Sequence, residues 1–104
     1  MTRCVFFSHN DRYTAFKISG HVGLGIKGKD VVCAAVSAVT QATMIGLEEV
    51  LGEKIVYEIK DGLIKCDVKS ENDCAQKMIE TLQKTLLQLS KQYPKNLLVY
   101  QTEV

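Results

Sequence analysis

An α+β fold follows from three features of this sequence: short runs of alternating apolar and polar residues, two stretches with helical spacing, and turn residues at the junctions between them. In chain order these give β-β-α-β-β-α-β, with two helices packed on a mostly antiparallel sheet. The 104 residues contain no internal repeat, low-complexity tract or linker rich in proline or serine, so one unit over 1–104 is expected. A chain of this size buries about two-thirds of the surface its unfolded form exposes, enough for one core.

Thr2 to Ser8 and Tyr13 to Ser19 are β-rich, and His9-Asn10-Asp11-Arg12 between them marks an antiparallel hairpin. In the second run Thr14, Phe16 and Ile18 face one way, and Tyr13, Ala15 and Lys17 the other. A glycine-rich loop follows from Gly20 to Lys29. From Asp30 the spacing turns helical through about Leu51, with Asp30 as N-cap and Gly52 just past the end as C-cap. Lys54 to Lys60 and Leu63 to Val68 alternate, and Asp61-Gly62 between them signals a two-residue hairpin. A second helix starts around Asn72-Asp73, with Asp73 and Gln76 in capping-box spacing. Ala75, Met78, Ile79, Leu82, Leu86 and Leu89 form its apolar stripe, Pro94 follows its end, and Leu97 to Val104 is a final strand.

Composition narrows the function. Apolar residues at 46% and charged residues at 24% are those of a water-soluble globular domain, with no membrane partner expected. A net charge of +1 gives no basic excess of the kind a nucleic-acid surface displays. The N-terminus lacks the pattern of a secretory signal, which points to the cytoplasm, where disulfides are not expected. Cys4, Cys33, Cys66 and Cys74 include no pair at zinc-finger spacing, and only His9 and His21 could assist them, so no metal site is expected.

The chemistry gathers in the segment Gly20 to Ser37, where three readings compete. In the first, Gly23-Leu24-Gly25-Ile26-Lys27-Gly28 matches a dinucleotide loop and Gly23 to Lys29 nearly matches a phosphate loop. Asp30 then stands where a magnesium-binding Ser or Thr belongs and would repel phosphate, and the helix leads into a hairpin rather than a parallel βαβ strand. The second reading is nucleophilic. Cys33 is the third helical residue after the Asp30 cap, inside the first turn, where unpaired N–H groups and the positive helix end favour a thiolate. Thiols so placed drop from about 8.5 to roughly 3.5–7.5.

Helical geometry puts Asp30, Cys33, Ser37, Thr40, Gln41, Met44 and Glu48 on one polar stripe, while Val32, Val36, Val39, Thr43, Leu47 and Val50 form the core face. On that reading Cys33 faces away from the valines, and His21, at the exit of a strand, is carried to it by the intervening loop. The third reading makes Cys33 a buried filler and His21 an ordinary loop residue. Cys66 alternates with Ile64 and Val68 as a core residue, and Cys4 lies beside Phe6 in the first strand. Cys74 opens the second helix without a nearby histidine, and His9 sits exposed in a turn.

The run Gly20-His21, then Gly28, Asp30, Cys33-Ala34-Ala35 and Ser37, resembles the signature of the ribosomal-processing cysteine protease family, Prp, over nearly the whole chain. The intervening loop departs from it at Val22, Leu24, Gly25, Ile26 and Lys27. The resemblance implies a thiol protease domain over 1–104 with His21 and Cys33 as the catalytic dyad. It implies supporting positions at Asp30 and Ser37, and loop positions for substrate at Gly20, Gly23 and Gly28. It further implies removal of a short N-terminal extension from a large-subunit ribosomal protein, the twenty-seventh in the standard naming, by a homodimer that needs no metal or organic cofactor. A rival from another class is a ribosome-associated module without turnover, in which Lys27 and Lys29 contact RNA phosphates.

Overall fold

The computed structural model describes residues 1–20 and 31–104. Among the described residues, five strands and two α-helices follow in the order β1 (Thr2–His9), β2 (Arg12–Ser19), α1 (Val31–Ile45), β3 (Ile55–Lys60), β4 (Leu63–Val68), α2 (Asp73–Gln92) and β5 (Leu97–Glu103). This is the α+β order expected from the sequence. The strands form one sheet in the order β3-β4-β2-β1-β5, antiparallel at every junction except β1 with β5.

The strand faces follow the period of two. Cys4 pairs with Ile18 and Phe6 with Phe16 on β1 and β2, and Phe16 and Ile18 pair in turn with Cys66 and Ile64 on β4. All of these are buried in one core with Val32, Val36, Met44 and Leu47 from the first helical segment and Ala75, Ile79, Leu82 and Leu86 from α2. Each fully buried Phe, Ile or Leu contributes roughly 1.5–3 kcal/mol, so this face dominates the stability.

Two turns exchange the conformations their residues suggest. Asn10 and Asp11, between β1 and β2, both have positive φ, 50° and 62°, the signature of a type I′ turn. At Asp61-Gly62 only Gly62, at φ 76°, has a positive value. Asx side chains tolerate the left-handed region well enough for the first turn to need no glycine.

Three sequence expectations change here. The first concerns the helix from 31 to 51: its last turns, Gly46–Val50, are π-helical, closed by Leu51 N–H to Gly46 O at 2.9 Å and Glu53 N–H to Leu47 O at 2.9 Å. At Gly46 the end of the Met78 side chain from α2 occupies the space a Cβ would take, so a side chain there would require Met78 to move. Gly52, at φ 70°, ends the helix as expected.

The second concerns the N-cap of α2, which is Asn72 rather than Asp73: its side-chain oxygen accepts from Cys74 N at 2.8 Å and Ala75 N at 3.4 Å. Gln76 forms no capping box, because its amide is committed to the backbone of Tyr13. The third is the face of α1. Cys33, Thr40 and Met44 are buried with Val32 and Val36, whereas Gln41 and Glu48 are exposed. The supposed polar stripe is thus divided, and Cys33 is 5% exposed on the inward side. This segment has no charged residue from Val31 to Leu47 and carries apolar side chains all round, Val31 and Ile45 being exposed, so polarity alone could not fix its inner face.

Candidate active site

The start of β1 is the point on which the site is built. Alternation places Thr2 on the same sheet face as Cys4 and Phe6, and its backbone is held between neighbours: it pairs with Leu97 of β5, and its N–H donates to Asn96 O at 2.9 Å. Across the other junction Arg3 pairs with Ser19, which sets Gly20 beside Thr2. Gly20 has φ 113° and donates its N–H to Gly62 O at 3.1 Å. A Cβ on Gly20 would run into the Met1 carbonyl oxygen and stand 3.1 Å from Thr2 Cα. Glycine is required there by both conformation and space.

The chain returns at Val31, and the first turn of α1 lowers Cys33 onto the same place. Thr2 Oγ1 lies 3.7 Å from Cys33 Sγ, a buried hydroxyl–thiol hydrogen bond between residues distant in sequence. Thr2 is 2% exposed and Cys33 5% exposed, so the thiol sits where the start of the helix meets the start of the interior strand β1, in contact with a polar partner. Backbone N–H groups of the first helical turn have no acceptor within the helix and are available to an anion.

Of the other expected site residues, His21, Gly23, Gly28 and Asp30 lie outside the described residues. So do Lys27 and Lys29 of the RNA-binding alternative. Ser37 is half-buried, one turn along from Cys33, where its Oγ accepts from Gln41 Nε2 at 2.7 Å. Thr2 was not singled out from the sequence. The signal was its place in the alternation Thr2, Cys4, Phe6, which already put a hydroxyl on the helix-facing side of the sheet.

The remaining cysteines separate by environment. Cys4 and Cys66 are fully buried in the sheet, and both thiols are pushed up to about 12. Desolvation is the cause at Cys4; at Cys66 desolvation leads, with smaller contributions from the Asp67 and Glu48 carboxylates. Such thiols stay protonated and unreactive at neutral pH. Cys74 is exposed in the first turn of α2. His9 is exposed as expected, with Nδ1 2.6 Å from the Val104 carbonyl oxygen. Among the described residues no group of His, Cys, Asp and Glu is arranged to hold a metal ion.

A groove elsewhere on the surface runs between the end of the first helical segment and the edge strand β3, lined by Met44, Ile45, Glu48, Ile55, Tyr57 and Ile59. Met44 lies about 16 Å along the helix axis from Cys33 at the usual rise, so this groove is separate from the thiol.

Comparison with known proteins agrees with the fold. No curated protein sequence matches the chain at a significant level. The essential ribosomal processing protease Prp from S. aureus, solved with a covalently linked product peptide, superposes with a TM-score of 0.88 at 24% identity, covering 98% of this chain and 100% of that one. The same protease with a substrate peptide gives 0.86 at 22% identity, again over 98% and 100% of the two chains. SMU.848 from Streptococcus mutans gives 0.87 at 21% identity over 100% of this chain and 96% of its own. At these identities the likeness establishes the architecture. The sequence model described as cysteine protease Prp matches residues 1–98, nearly the full length, and with the thiol held at the helix start it settles the matter: this chain belongs to the cysteine protease Prp family.

Proposed function

We propose that the chain is a single catalytic domain in which Cys33 is the nucleophile and His21 its general base. We further propose that it removes the short N-terminal extension of a large-subunit ribosomal protein, the twenty-seventh in the standard naming. One observation carries the reading: Thr2, whose hydroxyl bonds the buried Cys33 thiol, lies against Gly20, the residue bonded to His21, so the thiol and the end of the strand that leads to the histidine share a neighbour. Further support comes from the S. aureus protein of the same fold, which is a ribosomal processing protease.

The chemistry uses the chain's own side chains and backbone N–H groups. His21 takes the proton of Cys33, and the thiolate attacks the scissile carbonyl to give a tetrahedral oxyanion. First-turn N–H groups, that of Cys33 included, stabilise the oxyanion. Its collapse expels the new N-terminal amine, which takes the proton back from the imidazolium, and leaves a thioester. Water, deprotonated by the same imidazole, then releases the extension as a carboxylate and restores the thiol. Asp30 and Ser37 are supporting positions for Cys33, and Gly20, Gly23 and Gly28 are positions that meet the substrate.

The protein acts in the cytoplasm, where ribosomal proteins are made; the free thiols of Cys4, Cys66 and Cys74 are in keeping with a reducing compartment. It acts as a homodimer. Exposed Ile45, Val50, Tyr57 and Ile59 beside β3, an edge strand of the sheet among the described residues, form an apolar surface suited to a second copy. Light scattering then reads twice the 11.6 kDa chain mass. The activity is tested by incubating the protein with the extended ribosomal protein and weighing the products. A shortened protein and the released extension are expected, and an intact substrate after prolonged incubation contradicts the reading.

A further inference from the structure

We propose that Thr2 is a positioning residue for the nucleophile, its hydroxyl donating a hydrogen bond to the Cys33 sulfur and so holding it, as thiolate, at the helix start. This rests on the reading of Cys33 as nucleophile and adds to it a residue that the dyad does not include.

The geometry supplies the warrant. Thr2 Oγ1 stands 3.7 Å from Sγ, within reach of a hydrogen bond to sulfur. Thr2 is itself 2% exposed and is tied through its backbone to Asn96 and Leu97 on one side, with Arg3 paired to Ser19 on the other. A β-branched side chain has a stiff first torsion, so a fixed backbone fixes the hydroxyl. A hydroxyl in the core costs free energy unless it is bonded, and valine would fill the same volume without that cost. A hydroxyl there calls for a partner, and the partner is the sulfur.

The contact matters because burial alone works against a thiolate. Cys4 and Cys66, buried in the same sheet, are held protonated by desolvation. Cys33 is only 5% exposed, and a sulfur anion in that setting must be compensated by donors aimed at it. First-turn N–H groups give one such source. Thr2 gives a second, from the sheet side, and a hydrogen bond to an ionised acceptor is roughly twice as strong as a neutral one. The same bond ties β1 to the first turn of α1.

The test uses the full chain with Cys74→Ser, which removes the exposed competing thiol, and compares Thr2→Val with Thr2→Ser. The readouts are the pH dependence of Cys33 alkylation by iodoacetamide and kcat and KM for cleavage of a peptide spanning the extension junction. Thr2→Val is expected to move the alkylation midpoint upward by about one pH unit and to lower kcat about tenfold near neutrality. KM should stay within about twofold, because the bond forms to the enzyme's own sulfur. Thr2→Ser, which keeps the hydroxyl, is expected to retain the parent profile. Should Thr2→Val not fold, Thr2→Ala against Thr2→Ser carries the same comparison.

A Thr2→Val protein with the parent midpoint and kcat overturns the proposal, as does a Thr2→Ser protein as impaired as Thr2→Val. Cys33→Ala separates the two levels. If it still cleaves, the nucleophile assignment fails; if it is inactive while Thr2→Val behaves as the parent, only the role of Thr2 fails.

Discussion

Gly20 lies so close against Met1 that any Cβ at position 20 would strike the Met1 carbonyl oxygen, and its φ of 113° is one that L side chains avoid. This contact fixes where the chain leaves the sheet for the segment that carries His21. Gly20→Ala is expected to cost about 2 kcal/mol or more in urea denaturation and to reduce kcat/KM beyond what the unfolded fraction explains. Gly52→Ala is the control: its φ of 70° carries strain, but nothing lies within 4 Å of the added methyl. About 1 kcal/mol is expected there, with kcat/KM unchanged.

Gln76 takes the place of a strand at Tyr13. Its Oε1 accepts from Tyr13 N–H at 2.7 Å and its Nε2 donates to Tyr13 O at 2.9 Å, joining α2 to the start of β2. Removing the amide leaves two partly buried backbone groups unpaired. Gln76→Ala should therefore lower the unfolding free energy by about 1–3 kcal/mol and speed exchange of the Tyr13 amide hydrogen. Unchanged exchange at Tyr13 would show that this clasp is dispensable.

Thr40 is the opposite case. Its side chain is fully buried on the inward face of α1, and among the described residues its Oγ1 has no hydrogen-bond partner. Thr40→Val removes the unpaired hydroxyl at constant volume. The expected outcome is a gain of about 1 kcal/mol, read as a higher urea midpoint with the same slope. A comparable loss would mean that the hydroxyl is bonded in solution.

The buried sheet thiols predict a weakness at high pH. Burial pushes Cys4 and Cys66 from the ordinary 9.0 to about 12 in the folded state. Between these values the unfolded chain has released protons that the native protein still holds, so stability falls as pH rises. Below about 9 the contribution is intact, and each thiol withdraws about 1.4 kcal/mol per pH unit across the window. Urea midpoints between pH 8 and 11 for the parent and for the pair Cys4→Ala, Cys66→Ala are expected to diverge, the parent falling more steeply. Parallel curves would contradict the assignment.

The elements read from the sequence are those whose residues carry a strong local signal. Alternation in β1, β2 and β4 exposed the core pairs Cys4, Phe6, Phe16, Ile18, Ile64 and Cys66, and the stripe of α2 was legible because its other side is charged. The inward face of α1 was not, because Val31, Val50 and Ile45 are as apolar as the residues that are buried. Cys33 was accordingly expected among the polar positions, whereas contact with Thr2 turns it inward. The cap at Asn72 was missed for a related reason: Asp73 and Gln76 have the right spacing, but Gln76 bonds more strongly to a strand distant in sequence. Tertiary partners of this kind leave no trace in local spacing. Cys33 was itself visible as a first-turn cysteine; its place under the helix required the sheet.

The central claim is that one sulfur performs the cleavage. It is tested most directly by weighing the extended ribosomal protein after incubation with the parent enzyme and with Cys33→Ala, whose fold is checked by circular dichroism. The account predicts a single shortened product with the parent and an intact substrate with Cys33→Ala. Equal cleavage by the two proteins would contradict it.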